Sequence, residues 1–144
     1  MAKAKVSKEF PAAPEKVWAV LSDPNRFEEW LTVHTKWKEP PPARLATGAK
    51  MTEVLTILGM ANTITFTVDE YAAPTTTKFS GTGLAGATIS FTLTVRPSGD
   101  QAALVTIDAE FISQMMVGAI GGAIERAATK ELDASLTNLA GLLA

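Results

Sequence analysis

A proline corner followed by two tryptophan-bearing helices constrains the fold of this chain more than any other sequence feature. Residues 3–10 alternate in polarity as a half-buried strand does, and Pro11 ends that strand because proline provides no donor for the ladder. A proline at the first turn suits the helix predicted over residues 14–21. Asp23, followed by proline, marks the start of a second short helix that ends near Trp30. The segment predicts the closed end of a hollow α+β sandwich.

The remainder of the chain predicts a loop, five strands and a long helix. The apolar pattern breaks down from His34 to Ala46, where three consecutive prolines favour an extended loop. Alternating runs bounded by glycine and proline predict antiparallel strands near 49–58, 62–71, 75–81, 87–96 and 102–112. One face of this sheet is apolar and the other is rich in threonine. Helical spacing then connects Val117, Ile120, Ile124, Ala128, Leu132, Leu136, Leu139 and Leu143, which predicts a C-terminal helix covering the apolar face.

Composition excludes several classes of function. Hydrophobic residues at 47% and charged residues at 19% of 144 residues predict one globular domain over residues 1–144. A net charge of -2 with intermingled signs offers no basic surface, so we expect no nucleic-acid partner. Without cysteine there is no disulfide or thiolate metal site. The beginning of the chain has no signal-peptide pattern, and the apolar run 115–124 is too short to cross a bilayer. We therefore expect a cytoplasmic protein that needs no metal or other cofactor and does not insert stably into membranes.

The candidates for polar contacts with a ligand are Trp30, His34 and Glu53. His34 is the only histidine, so it can act as a lone base or ligand contact, or be an ordinary loop histidine. Trp30 and Trp37 flank it and either form an aromatic rim or serve as core residue and loop anchor. Glu53 shares a strand phase with Met51, Leu55 and Ile57, which points it inward, while the mixed neighbouring positions leave a solvent-facing glutamate open.

Apolar candidates complete the predicted cavity. The strand pattern assigns four phenylalanines to its walls: Phe66, Phe79, Phe91 and Phe111. Met115 and Met116, followed by several glycines, predict either an adaptable portal or a small-residue helix contact. A literal G-x-G-x-x-G over residues 81–86 precedes a strand pattern, not a helix, so it predicts a strand connection and no dinucleotide site.

The element order resembles the START/Bet v 1-like (SRPBCC) superfamily, which includes polyketide cyclase/dehydrase and lipid-transport families. The resemblance spans the whole chain and is most specific at FPAAPEKVW over residues 10–18 and at residues 23–30. Residues 29–37 are most similar to small actinobacterial members, some of which are named as toxins of type II toxin–antitoxin pairs. The resemblance implies a helix-grip fold with a cavity between sheet and helix. It implies no shared catalytic motif, so no catalytic residue is assigned.

Three hypotheses for function follow. The first is burial of a small hydrophobic or amphipathic ligand, lipid-like or polyketide-like, within the cavity. The second is an enzyme of the polyketide cyclase/dehydratase type in which Glu53 or His34 moves protons. The third is a toxin that acts through a protein partner such as an antitoxin, using the 34–46 loop, and it predicts an apolar surface patch around Trp37.

Overall fold

The computed structural model describes residues 2–57, 59–83, 87–112 and 118–143, which form seven strands and three α-helices. In chain order these are β1 (Ala2–Phe10), α1 (Pro14–Leu21), a 3-10 helix (Pro24–Arg26), α2 (Phe27–Trp30), β2 (His34–Trp37), β3 (Lys50–Ile57), β4 (Met60–Ala72), β5 (Thr76–Thr82), β6 (Thr88–Gly99), β7 (Ala102–Ile112) and α3 (Gly118–Leu142). The predicted helix over residues 14–21 and the succession of five strands after Gly48 are confirmed.

The strands form a single antiparallel sheet that curls around α3. Their order is β1-β7-β6-β5-β4-β3-β2. The last strand of the chain, β7, therefore pairs with the first, β1, which forms one edge of the sheet. The remaining strands are neighbours in the chain, and short connections are sufficient to join them. This is the predicted α+β helix-grip architecture.

The core lies between the inner sheet face and α3. Alternate residues of the long strands are buried, as in Ile89, Phe91, Leu93 and Val95 of β6. The matching stripe on α3 consists of Ile124, Ala128, Leu132, Leu136 and Leu139, all of them buried. Threonine pairs such as Thr52 with Thr65 lie on the opposite sheet face, where their hydroxyl oxygens are 3.0 Å apart. The predicted division into an apolar and a threonine-rich face is confirmed.

Two details of the predicted helices differ from the structure. The second helix divides into a 3-10 turn and α2, and the Asp23 side chain accepts from the Asn25 backbone N–H at 2.9 Å. In the predicted apolar stripe of α3, Ile120 is 56% exposed, because no described residue covers the first turn of the helix. Val117 of the same predicted stripe lies outside the described residues.

The structure corrects the predicted loop at its beginning. His34 to Trp37 form β2, which pairs with β3 so that His34 lies opposite Leu55 and Trp37 opposite Glu53. A strand of four residues carries too little alternation to be recognised, and it forms because β3 supplies its partner. The remainder of the predicted loop, residues 38–46, contains no helix or strand.

The α3 helix grips the sheet unevenly. It packs most extensively against β1 and α2, and only sparsely against β3. Within the described ranges, no helix has the length and apolar character needed to span a membrane.

Candidate functional site

The pairing of β2 with β3 brings His34 and Glu53 together inside the protein. The His34 Nδ1 atom lies 3.1 Å from Glu53 Oε1, and each side chain is only 1% exposed. A hydrogen bond across 19 residues of sequence therefore joins the two strands within the apolar interior. The two side chains form a buried imidazole–carboxyl pair, which is a combination able to hold and transfer a proton.

The strand phase of β3 turns Glu53 inward. Met51, Glu53 and Leu55 alternate on the buried face, and Glu53 lies opposite Ile64 of β4. The second carboxyl oxygen, Oε2, has no hydrogen-bond partner among the residues that the structure describes. A polar atom left unpaired in an apolar interior is unfavourable, because folding removes its hydrogen bonds to water without replacing them.

Burial raises the pKa of the Glu53 carboxyl above its ordinary value, because the ionised form loses its hydration. The hydrogen bond from His34 and the charge on its ring act in the opposite direction and lower the pKa, but they are smaller influences. At any given pH, a larger fraction of Glu53 than of an exposed glutamate therefore carries its proton. A carboxyl of this kind can serve as a donor or an acceptor toward a bound molecule.

An aromatic cluster surrounds the imidazole–carboxyl pair. Its hub is Phe27, whose ring centroid lies 5.9 Å from Trp30, 6.4 Å from His34, 5.9 Å from Trp37 and 6.4 Å from Phe79. Trp37 also packs against the imidazole at 4.8 Å. Trp37 is half-buried, and its ring packs against the Phe27 ring and the imidazole of this cluster.

Hydrogen bonds join the turn that follows α2 to α3, next to Trp30. Just after Trp30, the Thr32 backbone N–H donates to the Ser135 hydroxyl at 2.9 Å, and the Thr32 hydroxyl donates to the Glu131 carbonyl at 2.9 Å. Trp30 is 1% exposed, and its indole Nε1 has no hydrogen-bond partner among the described residues. The interior thus contains a second unpaired polar atom, and this one is a donor only.

The four phenylalanines predicted as walls form a continuous row across the inner sheet face. The centroid distances are 5.2 Å from Phe66 to Phe79, 5.6 Å from Phe79 to Phe91 and 6.4 Å from Phe91 to Phe111. None of the four is more than 2% exposed, and their rings pack against one another. Their contact with a ligand stays a prediction.

A small cavity of about 60 Å³ lies at one end of the interior. Its lining is apolar apart from one amide: Leu55, Ile57, Met60, Asn62, Ile89, Phe111 and Ile124. Leu55 and Glu53 share one face of β3 two residues apart, which is about 7 Å along a strand. The cavity therefore lies one side chain away from Glu53. Met115 and Met116, the predicted portal, lie outside the described residues.

Other chemistry suggested by the sequence finds little support. Across the described ranges, no three His, Asp or Glu side chains come together as metal ligands. After Gly81 and Thr82 the next described element is β6, so a strand takes the place that a dinucleotide site would give to a helix. Residues 84–86 of that motif lie outside the described residues.

Sequence reasoning identified Trp30, His34 and Glu53 individually but did not identify the pair or its hub. Neither Phe27 nor Asn62 is among the site residues predicted from the sequence. The alternation of β4 places Asn62 in phase with Ile64 and Phe66, and this phase is the signal that could have identified it. No comparable signal exists for Phe27, because its aromatic contacts other than Trp30 come from β2 and β5.

Comparison with known proteins places these features in context. Residues 1–144 match the model of the family described as polyketide cyclase / dehydrase and lipid transport. A Mycobacterium tuberculosis protein named as a toxin is 29% identical over 144 residues, covering 100% of this chain and 99% of the relative. A START superfamily protein from Mycobacterium smegmatis superimposes with a TM-score of 0.78 at 16% identity, covering 98% and 96% of the two chains. The Zhui aromatase/cyclase from Streptomyces sp. R1128 superimposes with a TM-score of 0.76 at 15% identity, covering 96% and 91%.

Proposed function

The chain belongs to the polyketide cyclase / dehydrase and lipid transport family, and we propose that it binds a small hydrophobic or amphipathic ligand between the sheet and α3. The observation that carries this proposal is the presence of two unpaired polar atoms in the described interior, Glu53 Oε2 and Trp30 Nε1. A ligand with one or two polar groups would complete their hydrogen bonds. The apolar remainder of the ligand would lie against the phenylalanine row.

Burial of apolar surface supplies the affinity in this mechanism. A ligand that loses about 300 Å² of apolar surface gains about 7 kcal/mol before the losses of translational and rotational freedom. Pairing Oε2 or Nε1 with a ligand group would supply a hydrogen bond that neither atom makes with the described residues. Orientation would come from these polar contacts, while the aromatic walls would tolerate different apolar skeletons.

The cavity beside Leu55 supports a route into the interior. Its volume of about 60 Å³ holds only a fragment of a ligand, whereas ligand pockets commonly reach about 300 Å³ or more. Larger ligands therefore require α3 to move away from β3, where their contacts are already sparse. Ile124 of α3 lines the cavity and would move with the helix.

Native mass spectrometry of protein purified from its own host tests the proposal, because a bound molecule adds a discrete mass. Ile89→Phe fills the cavity lining and should reduce ligand occupancy. Ile112→Phe adds the same volume at a side chain that is 48% exposed, and it should retain the ligand. Thermal unfolding establishes that both variants fold. A ligand-free mass for the wild-type protein, together with equal occupancy of both variants by added apolar ligands, would contradict the proposal.

A second candidate function is acid–base catalysis of the cyclase/dehydratase kind, and the buried His34–Glu53 pair favours it. A carboxyl with a raised pKa beside an imidazole can donate a proton to a leaving hydroxyl or remove one next to a carbonyl. Glu53→Gln keeps the shape and the hydrogen bond from His34 but cannot transfer the proton. Turnover of a polyketide-like substrate should then fall by about a hundredfold or more with binding unchanged. Equal turnover by the variant would exclude this mechanism.

A toxin function, transferred from the named mycobacterial relative, is the third candidate. It requires a protein partner and a surface to bind it, and the ring of Trp37 faces the interior cluster instead. Regulated expression tests this candidate directly. Growth arrest on expression, relieved by co-expression of a neighbouring gene product, would support it, and unaffected growth would count against it.

A further inference from the structure

We propose that Glu53, held in place by His34, makes the interior select ligands with a neutral hydroxyl head group over ligands of the same skeleton that end in a carboxylate. This inference rests on the proposed ligand-binding function and names the chemical class of its ligand. In the described interior, Glu53 Oε1 is already paired with His34, whereas Glu53 Oε2 and Trp30 Nε1 are still able to form hydrogen bonds with a ligand.

The two oxygens of the Glu53 carboxyl group differ in their hydrogen bonding. Oε1 lies 3.1 Å from His34 Nδ1 and is occupied, whereas Oε2 is buried without a partner in the described interior. When Glu53 is ionised, Oε2 only accepts hydrogen bonds, and when it is protonated, Oε2 can also donate. A hydroxyl both donates and accepts, so it complements Oε2 in either state.

The second step concerns charge. A carboxylate ligand would bring a second negative group beside Glu53, whose side chain is only 1% exposed. One of the two carboxyl groups must then take up a proton, because two carboxyl groups that share an apolar site do not both ionise. Among the described buried side chains there is no lysine or arginine to neutralise a ligand's charge, and the imidazole already pairs with Glu53.

The third step concerns access. Glu53 and Leu55 lie on one strand face, and Leu55 lines the cavity. A head group that passes Leu55 therefore reaches the Glu53 side chain, two positions along the same strand face. Trp30 Nε1, which donates only, remains available for a second, accepting oxygen on the ligand.

Calorimetric titration with three matched probes tests the inference: decanol, its methyl ether and decanoate. At neutral pH the wild-type protein should bind decanol at least about tenfold more tightly than decanoate. Decanoate binds only if one of the two carboxyl groups is protonated, and each unit by which the pH exceeds the pKa of that group weakens binding by about a factor of ten. The ether lacks the donated hydrogen and should also bind more weakly than decanol. This comparison needs no variant, so the inference remains testable if substitutions disturb folding.

Two variants then assign the selectivity to Glu53. Glu53→Gln removes the charge and should bring the decanol-to-decanoate ratio to within about threefold of one, since the amide N–H can donate to a carboxylate. Glu70→Gln removes the same charge from an exposed position of β4 and should leave the ratio unchanged.

The outcomes separate the two proposals. Equal or tighter binding of decanoate by the wild-type protein, or a ratio that Glu53→Gln leaves unchanged, would overturn the inference while leaving ligand binding intact. The second result would indicate that Trp30 or another donor receives the head group. Binding of none of the three probes would overturn this inference, whereas the proposed function itself fails only on the mass-spectrometric result described above.

Discussion

Replacing His34 with leucine should destabilise the protein mainly through the carboxyl that it leaves behind. In His34→Leu, both oxygens of Glu53 would be buried without a hydrogen bond, at a side chain that is only 1% exposed. Removing one partner of a buried ionisable pair typically destabilises a protein by about 3–5 kcal/mol. Burial of the leucine side chain recovers about 1–2 kcal/mol. We expect a net loss of about 3 kcal/mol, or roughly 9 °C in Tm.

A double-mutant cycle isolates this effect. Glu53→Leu alone should destabilise less, because the group that it leaves unpaired is an imidazole rather than a carboxyl, and an unpaired buried polar group costs about 1–2 kcal/mol. The double variant has no buried charge, and its stability should lie within about 1 kcal/mol of the wild-type value. Urea denaturation followed by tryptophan fluorescence gives each free energy, since Trp30 and Trp37 belong to the same cluster.

The pH dependence supplies an independent check with a defined sign. The pKa of Glu53 is raised in the folded protein, so its contribution to stability is complete below the ordinary pKa and is lost as pH rises through the folded-state value. In His34→Leu the influences that lower this pKa are absent, so the pKa rises further and the loss continues to higher pH. The destabilisation relative to wild type should therefore increase as the pH rises above 4.5, the ordinary pKa of a glutamate.

A surface pair serves as the control for these measurements. Lys3→Leu removes an ion pair with Glu110 in which the side chains are 60% and 44% exposed and 3.5 Å apart. Its loss should destabilise by less than about 1 kcal/mol. The reasoning about His34 is refuted if the double variant loses at least the sum of the two single losses. It is also refuted if the destabilisation by His34→Leu does not change with pH.

Three further substitutions test packing around the site by urea denaturation. Gly81→Ala should destabilise by about 2 kcal/mol or more, because an added Cβ would lie 2.3 Å from the Thr65 carbonyl oxygen; unchanged stability would contradict the observed strand spacing. Ser135→Ala should destabilise by about 1–2 kcal/mol and speed hydrogen exchange of the Thr32 amide, which loses its acceptor; unchanged exchange would argue against the bond. Phe91→Ala removes a central ring of the phenylalanine row and should destabilise by about 3–5 kcal/mol; a loss below 1 kcal/mol would indicate loose packing.

Local signals in the sequence were sufficient for most of the fold. Proline positions delimited β1 and α1 because they act through the backbone of their own residues. The long strands β6 and β7 and the helix α3 repeat their apolar period often enough to show which face is buried. The alternation of β3 likewise indicated the inward direction of Glu53, although its mixed neighbours left a solvent-facing side chain open.

The candidate site depended on contacts that no local pattern records. His34 was assigned to a loop because β2 is only four residues long, and pairing with β3 is what turns its imidazole toward Glu53. Phe27 became a hub through rings contributed by α2, β2 and β5. Glu53 Oε2 and Trp30 Nε1 have no hydrogen-bond partner because none of the described elements around them places a donor or an acceptor within reach.

The sequence by itself determined the order of the long elements and the buried faces of the long strands and of α3, and it named Trp30, His34 and Glu53 as candidate polar contacts. The tertiary structure alone decided that His34 and Glu53 pair, and that one carboxyl oxygen has no hydrogen-bond partner among the described residues. The physical reason is range. Periodicity and backbone chemistry act over a few residues, whereas the hydrogen bond of this pair joins residues 19 positions apart through strand register.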